Sequence, residues 1–461
     1  MSTLRDLHQA IGGTARLPRD GADDAILLGP VAVDSRQAQP GGVYWGLPGE
    51  YHDGAEFADE AFQRGAAGAV VHRPVDKPAD RWLLQVEDTQ RALWQWAAWN
   101  RRQFRGTAIA VSGSAAKTTV RQMIHATLRT RFRGAAGVRA DNQPFGLPLA
   151  MLDLEPQHDY ALFEMSPRRL CDPTSPVTLC TPKIAVLTQV AEGHPGGLGG
   201  RKEIADAAEE LLASLPPDGL AVLGDDPWLR RFAQVCKAPV RWVGQGPGCD
   251  LWASDVEWGR GTLSFRLDDC RFHVPVWGRH HLTAALMAIE VGRAMGLSAG
   301  DIARGLGTFE SVPAHCQVIE LRGATVICDM NRPTAPAARD ALAFLRDFDV
   351  PGRRIVVCGD IETSGESPVT VHRELGNLAV AWASADLLFA FGDHAGDMVA
   401  AARAAGMPAS RAVACRSPEE ILPRIAQTLV PGDVVLFKGV RGVSLEKVAD
   451  ALRRFPRRRA A

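Results

Sequence analysis

Four strand-length apolar runs in the middle of the chain, "AIAVSG", "YALFEM", "KIAVLTQV" and "GLAVLG", are each followed by sequence of helical character. That alternation constrains the fold more than any other feature. Strands separated by helices do not pair as hairpins, so the segment reads as a parallel sheet flanked by helices. The pattern returns further on, where "ATVICDM", "RRIVVCGD", "ADLLFAFGD" and "DVVLFKG" alternate with helical stretches and predict a small doubly wound unit. Upstream, shorter β-like runs ("AILLGPVAVDS", "GVYWGL", "GAVVHRP", "RWLLQV") surround one helix-like segment, "GAEFADEAFQRGA". The tryptophan-bearing "QRALWQWAAWNRRQF" then predicts a long amphipathic helix that bridges into the middle of the chain.

With 461 residues the chain has room for two to four domains, and these blocks predict three α/β units at 1–104, 105–312 and 313–461. Inside the second, "DLWASDVEWGRGTLSFRLDDCRFHVPVWG" changes character. Its alternation and turn residues predict antiparallel strands added to the parallel sheet, and "HHLTAALMAIEVGRAMGLSAGDIARGL" predicts a helix pair after them.

Lys plus Arg (52) nearly balances Asp plus Glu (53), so no global field selects nucleic acid or an anionic membrane. The one basic run, "RRFPRRRAA", reads as a solvated, frayed terminus in preference to a binding tail. Nine scattered cysteines form no CxxC pair, which predicts reduced, mostly buried thiols. There is no 18-residue apolar run and no apolar signal core near the N-terminus. The expectation is a soluble, cytoplasmic protein with neither nucleic acid nor membrane as a partner.

Within "AVSGSAAKTTVRQM" a strand ends in Gly113, and Lys117, Thr118 and Thr119 open a helix. A phosphate loop needs this arrangement: backbone N–H groups converge on phosphate oxygens, a lysine adds charge, and a hydroxyl holds Mg²⁺ at the helix N-terminus. Alone, Gly-x-x-x-Lys-Thr is a weak motif, and a strand-to-helix turn with a chance Lys-Thr explains it about as well. Ala116 stands before the lysine, where such loops favour glycine. A positive φ there would cost alanine about 1 kcal/mol.

The surrounding sequence resembles the Mur ligase family, in particular its D-alanyl-D-alanine-adding type, from about residue 25 to 455. The stretch "DSRQAQPGGVYWGLPGEYHDGAEFADEAFQRGAAGAVV" is similar to that family's uridine-nucleotide segment, and places Asp34, Ser35 and Arg36 on a UDP-sugar. "VSGSAAKTTVRQM" resembles the ATP loop (Gly113, Ser114, Lys117, Thr118, Thr119), and "DNQPFGLPLAML", with Asn142, resembles the segment after it. "LFEMSP" and "KIAVLTQVAEGHPGGLGG" carry the family's metal-site Glu164 and His194. "RRIVVCGDIETSGESPVTVHRELG" and "DVVLFKGVRGVSLEKVADAL" resemble its C-terminal domain, with His372, Lys438 and Arg441 at family positions.

The resemblance implies a three-domain architecture: a small α/β N-terminal domain, a central P-loop ATPase domain with a parallel sheet, and a Rossmann-like C-terminal domain. It implies a ligase of peptidoglycan synthesis that uses ATP and Mg²⁺. ATP would phosphorylate the terminal carboxylate of a UDP-MurNAc peptide, and the amine of D-Ala-D-Ala would attack the acyl phosphate. Lys117, Glu164 and His194 would be catalytic, Thr118, Glu164 and His194 would hold Mg²⁺, and Asp329 and Asn331 would contact ATP. Asn142, Lys438 and Arg441 would lie on the substrate side.

Several family positions are replaced. Ala115-Ala116 stands for Asn-Gly or Ser-Gly, Ala208 for a carbamylated lysine, and Ala284 for an adenine-contacting Asn. Ala314 and His315 replace the Gly-Arg of the domain junction, and Asn331 is displaced. The losses concentrate on ATP, the second metal and the hinge. Two readings stay open: a ligase with impaired or lost catalysis, and a non-catalytic relative. The second would bind a UDP-sugar precursor or another Mur enzyme and regulate or scaffold cell-wall synthesis.

Three further features have plain structural explanations. The His280-His281 pair reads as a helix cap and a packing residue, and Asp225-Asp226 as a turn and helix start. The tryptophans of "WQWAAW" and "DPWLRR" read as core or interdomain packing.

Overall fold

The computed structural model describes residues 2–18, 26–49, 52–114, 116–136, 145–165, 176–190, 201–259, 261–310, 317–330, 333–346, 348, 351–363 and 367–439. Four sheets organise them. The first has five strands in the order Thr14–Arg16, Trp82–Gln85, Gly68–Val71, Val43–Trp45, Val31–Ala32, parallel except for the outer Thr14–Arg16. One face buries Val43, Trp45, Val70 and Leu84; the other buries Tyr44, Ala69, Val71 and Leu83, the two-residue period of a sheet covered on both sides.

Helix Thr89–Gln103 links this sheet to the next. Asp88 starts it by accepting from the N–H groups of Gln90 and Arg91, and Leu93, Trp94 and Trp96 are buried along it. Past the helix middle, Asn100 Nδ2 donates to Met151 O at 2.8 Å and Arg101 Nε to Cys180 O at 2.7 Å. The tryptophans here pack, as expected.

The central sheet is wholly parallel, in the order Val240–Val243, Leu220–Gly224, Ile184–Leu187, Thr107–Ser112, Tyr160–Glu164, Gly134–Ala135. Thr107–Ser112 is an inner strand, and nearly all of it is buried. Helix Lys117–Leu128 follows it and packs on helix His281–Ala294, whose Leu282 through Ile289 are almost continuously apolar and buried.

The antiparallel strands expected to extend this sheet form a separate one, Ser254–Gly259, Thr262–Leu267 and Cys270–Val274. Leu263, Phe265, Phe272 and Val274 bury one face of it in the same core as helices Lys117–Leu128 and His281–Ala294. The strands therefore use their apolar face as a lid on the helices, and edge pairing with the parallel sheet is not needed to bury them.

The fourth sheet runs Gln317–Leu321, Ala324–Asp329, Val434–Lys438, Arg354–Cys358, Leu387–Phe391, Ala412–Cys415, parallel apart from Gln317–Leu321. Two of its strands were not expected. Gln317–Leu321 joins Ala324–Asp329 through Arg322-Gly323, both at positive φ (55° and 77°), the left-handed pair of a two-residue hairpin. Ala412–Cys415 is a four-residue edge strand with too short an apolar run to stand out. Helices Ala335–Arg346, Pro368–Ala381 and Ala395–Ala404 cover one face and Pro418–Thr428 the other, as in a doubly wound unit.

The central and C-terminal units meet through aromatic side chains. Trp277 stacks on Phe348 with ring centroids 4.9 Å apart, and His280 meets Phe344 edge-on at 5.0 Å. No helix among the described residues is long and apolar enough to cross a membrane.

Candidate functional site

The phosphate-loop motif lies where the sequence predicts, between an inner parallel strand and a helix N-terminus. At Gly113 φ is 127°, and an added Cβ would collide with the Thr188 hydroxyl, so the turn requires glycine. Ser114 N–H donates to Gln189 O at 2.9 Å, which ties the loop to the neighbouring strand end. Ala116 adopts φ 59° and ψ 8°, in the left-handed region, and makes no side-chain cap to the helix it precedes. The positive φ that the sequence reading raised only as a condition is present, and the residue that carries it is an alanine.

From this turn the helix directs Lys117, Thr118 and Arg121 toward the sheet, three residues at helical i, i+1 and i+4 spacing. Lys117 is 6% exposed and its Nζ donates to Gly113 O at 2.7 Å. Thr118 Oγ1 donates to Glu164 Oε2 at 2.9 Å. Glu164 arrives at this point because its strand pairs in parallel with the loop's strand, Val111 opposite Glu164. The hydroxyl and carboxylate are hard oxygen donors on one spot, a donor set that suits Mg²⁺. Thr119 is half-buried on the next helix position.

Arg121 is a member of the site that sequence reasoning missed. It is fully buried, its Nε stands 3.4 Å from Glu164 Oε2, and its Nη1 donates to Ala136 O, the residue just past edge strand Gly134–Ala135. Its spacing from Lys117 was a readable signal: an arginine one turn into a helix, on the lysine's own face, needs a buried anion.

The other expected residues are distributed over the outer sheets. Asp34 caps a short 3-10 turn by accepting from Arg36 N–H, and Arg36 Nε and Nη2 grip its carboxylate at 2.9 and 2.7 Å. The side-chain hydrogen bond from Arg36 holds the Asp34 carboxyl below the usual carboxylate range. Ser35 is buried and donates to Glu60 Oε2 at 2.6 Å, which brings Glu60 into the group. That bond, with Arg64, also lowers Glu60.

In the C-terminal unit Asp329 and Lys438 lie directly opposite each other on neighbouring parallel strands. Lys438 Nζ to Asp329 Oδ2 is 2.7 Å, and both side chains are nearly inaccessible. Beside them burial pushes the Cys358 thiol up to about 12, which makes it inert. His372 is also buried. Its Nε2 accepts from Ile361 N–H at 3.0 Å, which ties the loop beyond Cys358 to helix Pro368–Ala381, and its Nδ1 lies 2.7 Å from Pro368 O in the first turn of that helix.

Ala208 and Ala284 are each 4% exposed, within apolar clusters of the central unit. Asp226 starts helix Pro227–Phe232 as expected, accepting from the N–H groups of Trp228 and Leu229. His280 makes no side-chain cap, contrary to expectation; its ring packs between His281 and Phe344. Asn142, His194, Asn331 and Arg441, with Ala115, Ala314 and His315, lie outside the described residues.

Comparison with known proteins agrees with this geometry. Residues 111–292 match the Mur ligase middle domain, and residues 316–441 match the Mur ligase glutamate ligase domain. The chain is 28% identical over 455 residues to UDP-N-acetylmuramoyl-tripeptide--D-alanyl-D-alanine ligase of Bacillus subtilis, covering 98% of each. Among solved structures it is similar to MurF from Acinetobacter baumannii, with TM-score 0.83, 25% identity and 98% of each chain covered. It is also similar to MurF ligase from Thermotoga maritima in complex with ADP, with TM-score 0.75, 25% identity, and 92% of this chain and 96% of that one covered.

Proposed function

The chain belongs to the Mur ligase family, and we propose that it is a D-alanyl-D-alanine-adding ligase with a slowed ATP step. Its substrates would be ATP, a UDP-N-acetylmuramoyl peptide and D-alanyl-D-alanine, the last two taken from the name of its relatives. The observation that carries this is the convergence of Lys117, Thr118 and Glu164 at one strand end beside a glycine turn.

In this reading the γ-phosphoryl group passes to the peptide carboxylate, giving an acyl phosphate and ADP. The amine of D-alanyl-D-alanine then forms the amide bond as phosphate leaves. Phosphoryl transfer of this kind is mostly positioning and charge neutralisation. Loop N–H groups and the N-terminus of helix Lys117–Leu128 receive the phosphates. Lys117 exchanges the Gly113 carbonyl for phosphate oxygens. Thr118 and Glu164, with His194, would hold Mg²⁺, which supplies positive charge to the phosphates when bound. Asp34, Ser35 and Arg36 would hold the UDP-sugar. Asp329 and Asn331 would serve ATP, and Asn142, Lys438 and Arg441 the substrate side. The units divide at 104/105 and 312/313, and the protein works in the cytoplasm.

Two observations favour a second reading, a non-catalytic relative that binds the UDP-sugar precursor or a partner ligase. Ala116 keeps the left-handed conformation but places a methyl group at the loop mouth, and Ala208 supplies no metal ligand. The experiment is ADP release by the purified protein with Mg²⁺-ATP, UDP-N-acetylmuramoyl tripeptide and D-alanyl-D-alanine. Release that needs both acceptors, and is lost in Lys117→Ala, supports the ligase. Tight binding of the UDP-peptide with no turnover supports the second reading. Turnover restored by Ala116→Gly with Ala208→Lys would identify the loop and second-metal positions as the cause.

A further inference from the structure

We propose that residues 277–281 form a docking finger by which the central unit grips the C-terminal unit, with Trp277 as its key and the three-stranded antiparallel sheet as its backstop. The chain changes core between two adjacent residues. Val276 is fully buried in the central core, whereas Trp277 packs against the core of the C-terminal unit. Leu282, at the start of helix His281–Ala294, is back in the central core. Both ends of the finger are therefore rooted in one unit while its side chains reach into the other, unlike a plain linker between domains.

Trp277 is held by both units. Its ring stacks on Phe348 with centroids 4.9 Å apart and planes 19° from parallel, and Phe344 meets Phe348 edge-on at 5.5 Å. From the central unit, Gly261, at φ 78° between strands Ser254–Gly259 and Thr262–Leu267, lies so near that an added Cβ would stand 3.2 Å from the indole. Gly278 follows Trp277 at φ 94°, and a Cβ there would meet Phe344 Cε2 at 2.8 Å, so the finger's backbone approaches the C-terminal unit as only glycine allows. Arg279 turns back to the antiparallel sheet, with its guanidinium carbon 5.3 Å from the centre of the Trp258 ring. The sheet that covers the central helices thus also braces the finger. A swing of the C-terminal unit out of this arrangement has to draw Trp277 off Phe348 and expose both rings to water. The grip sets how the two units sit on each other, and it holds whether or not the central site turns ATP over.

The test is a distance measurement by double electron–electron resonance on the full, ligand-free chain. Spin labels go on noncanonical amino acids at Gln234 and Ala404, exposed positions in the central and C-terminal units, so that the nine cysteines are left alone. The wild type should give one narrow distance. Trp277→Ala should raise the separated fraction about tenfold, seen as a broad set of further distances, and Trp277→Phe, which keeps a ring for Phe348, should lie closer to the wild type. Gly261→Val, which touches neither stacked ring's own residue, should broaden the distances by displacing the indole. Circular dichroism and thermal unfolding confirm that each variant is folded. A broad or split distance in the wild type would overturn the proposal without any variant. A folded Trp277→Ala with the wild-type distance would also overturn it, and if that variant does not fold, an unchanged distance in folded Gly261→Val does the same.

Discussion

Replacing Ala116 with glycine tests the loop most directly, because the sign of the effect depends on one backbone angle. Alanine at φ 59° carries the left-handed penalty, about 1–2 kcal/mol. Glycine removes that penalty but gives the unfolded chain more freedom, a loss of about 0.4–1 kcal/mol. The residue also precedes helix Lys117–Leu128 without a side-chain cap, a position where glycine is preferred to alanine. The net expectation is a gain of about 0.5–1 kcal/mol. For a unit of about 150–250 residues that raises the midpoint of thermal unfolding by about 1–4 °C. The assay is scanning calorimetry of both proteins, paired with titration of Mg²⁺-ADP. Were Ala116 in the ordinary helical or extended region, glycine would destabilise by roughly 0.5–1 kcal/mol. A fall in midpoint for Ala116→Gly would therefore refute the left-handed turn. Ala116→Val supplies the opposite arm, since a β-branched residue tolerates this region worst, and it should unfold below the wild type.

Gly113→Ala should abolish nucleotide binding, because positive φ and the Thr188 hydroxyl both oppose a side chain there; ADP titration with far-ultraviolet circular dichroism as the folding control checks it. Removing one partner of the buried Lys438–Asp329 pair, as in Lys438→Met, should cost about 3–5 kcal/mol in urea unfolding, and Asp329→Asn in the same chain should return part of it. Asp433 gives a pH dependence. Burial alone would raise its carboxyl, but the Arg353 side chain, 2.6 Å away, and two backbone N–H groups hold it lowered. A depressed carboxylate stabilises the fold above its unfolded value of 3.8 and loses that contribution as pH falls through the lower folded value. Urea midpoints measured from pH 6 down to pH 2.5 should fall more steeply for the wild type than for Asp433→Asn.

Which features local sequence dictates and which it does not depends on the range of the forces involved. Strand and helix alternation and the strand-glycine-helix turn were legible because each depends on neighbours within a few positions; that Ala116 is left-handed came from the structure. Steric limits on φ and the burial period of a strand act at that range. The expected placing of Asp226 as a helix start held for the same reason. His280 did not cap, because an aromatic side chain from the next unit offered its ring a packing partner.

What the sequence by itself determined is the set of parts: three α/β blocks, a phosphate-loop turn, and the residue types able to serve it. Only the tertiary structure decided which parts meet. Thr118 finds Glu164 46 positions away because two strands lie side by side in parallel register, and Lys438 finds Asp329 across 109 positions for the same reason. Register is fixed by burying whole sheet faces at once, a sum over many residues that no local pattern contains. That sum also placed Arg121 on Glu164 and closed the antiparallel strands over the helices, where the alternation alone had suggested an extended sheet.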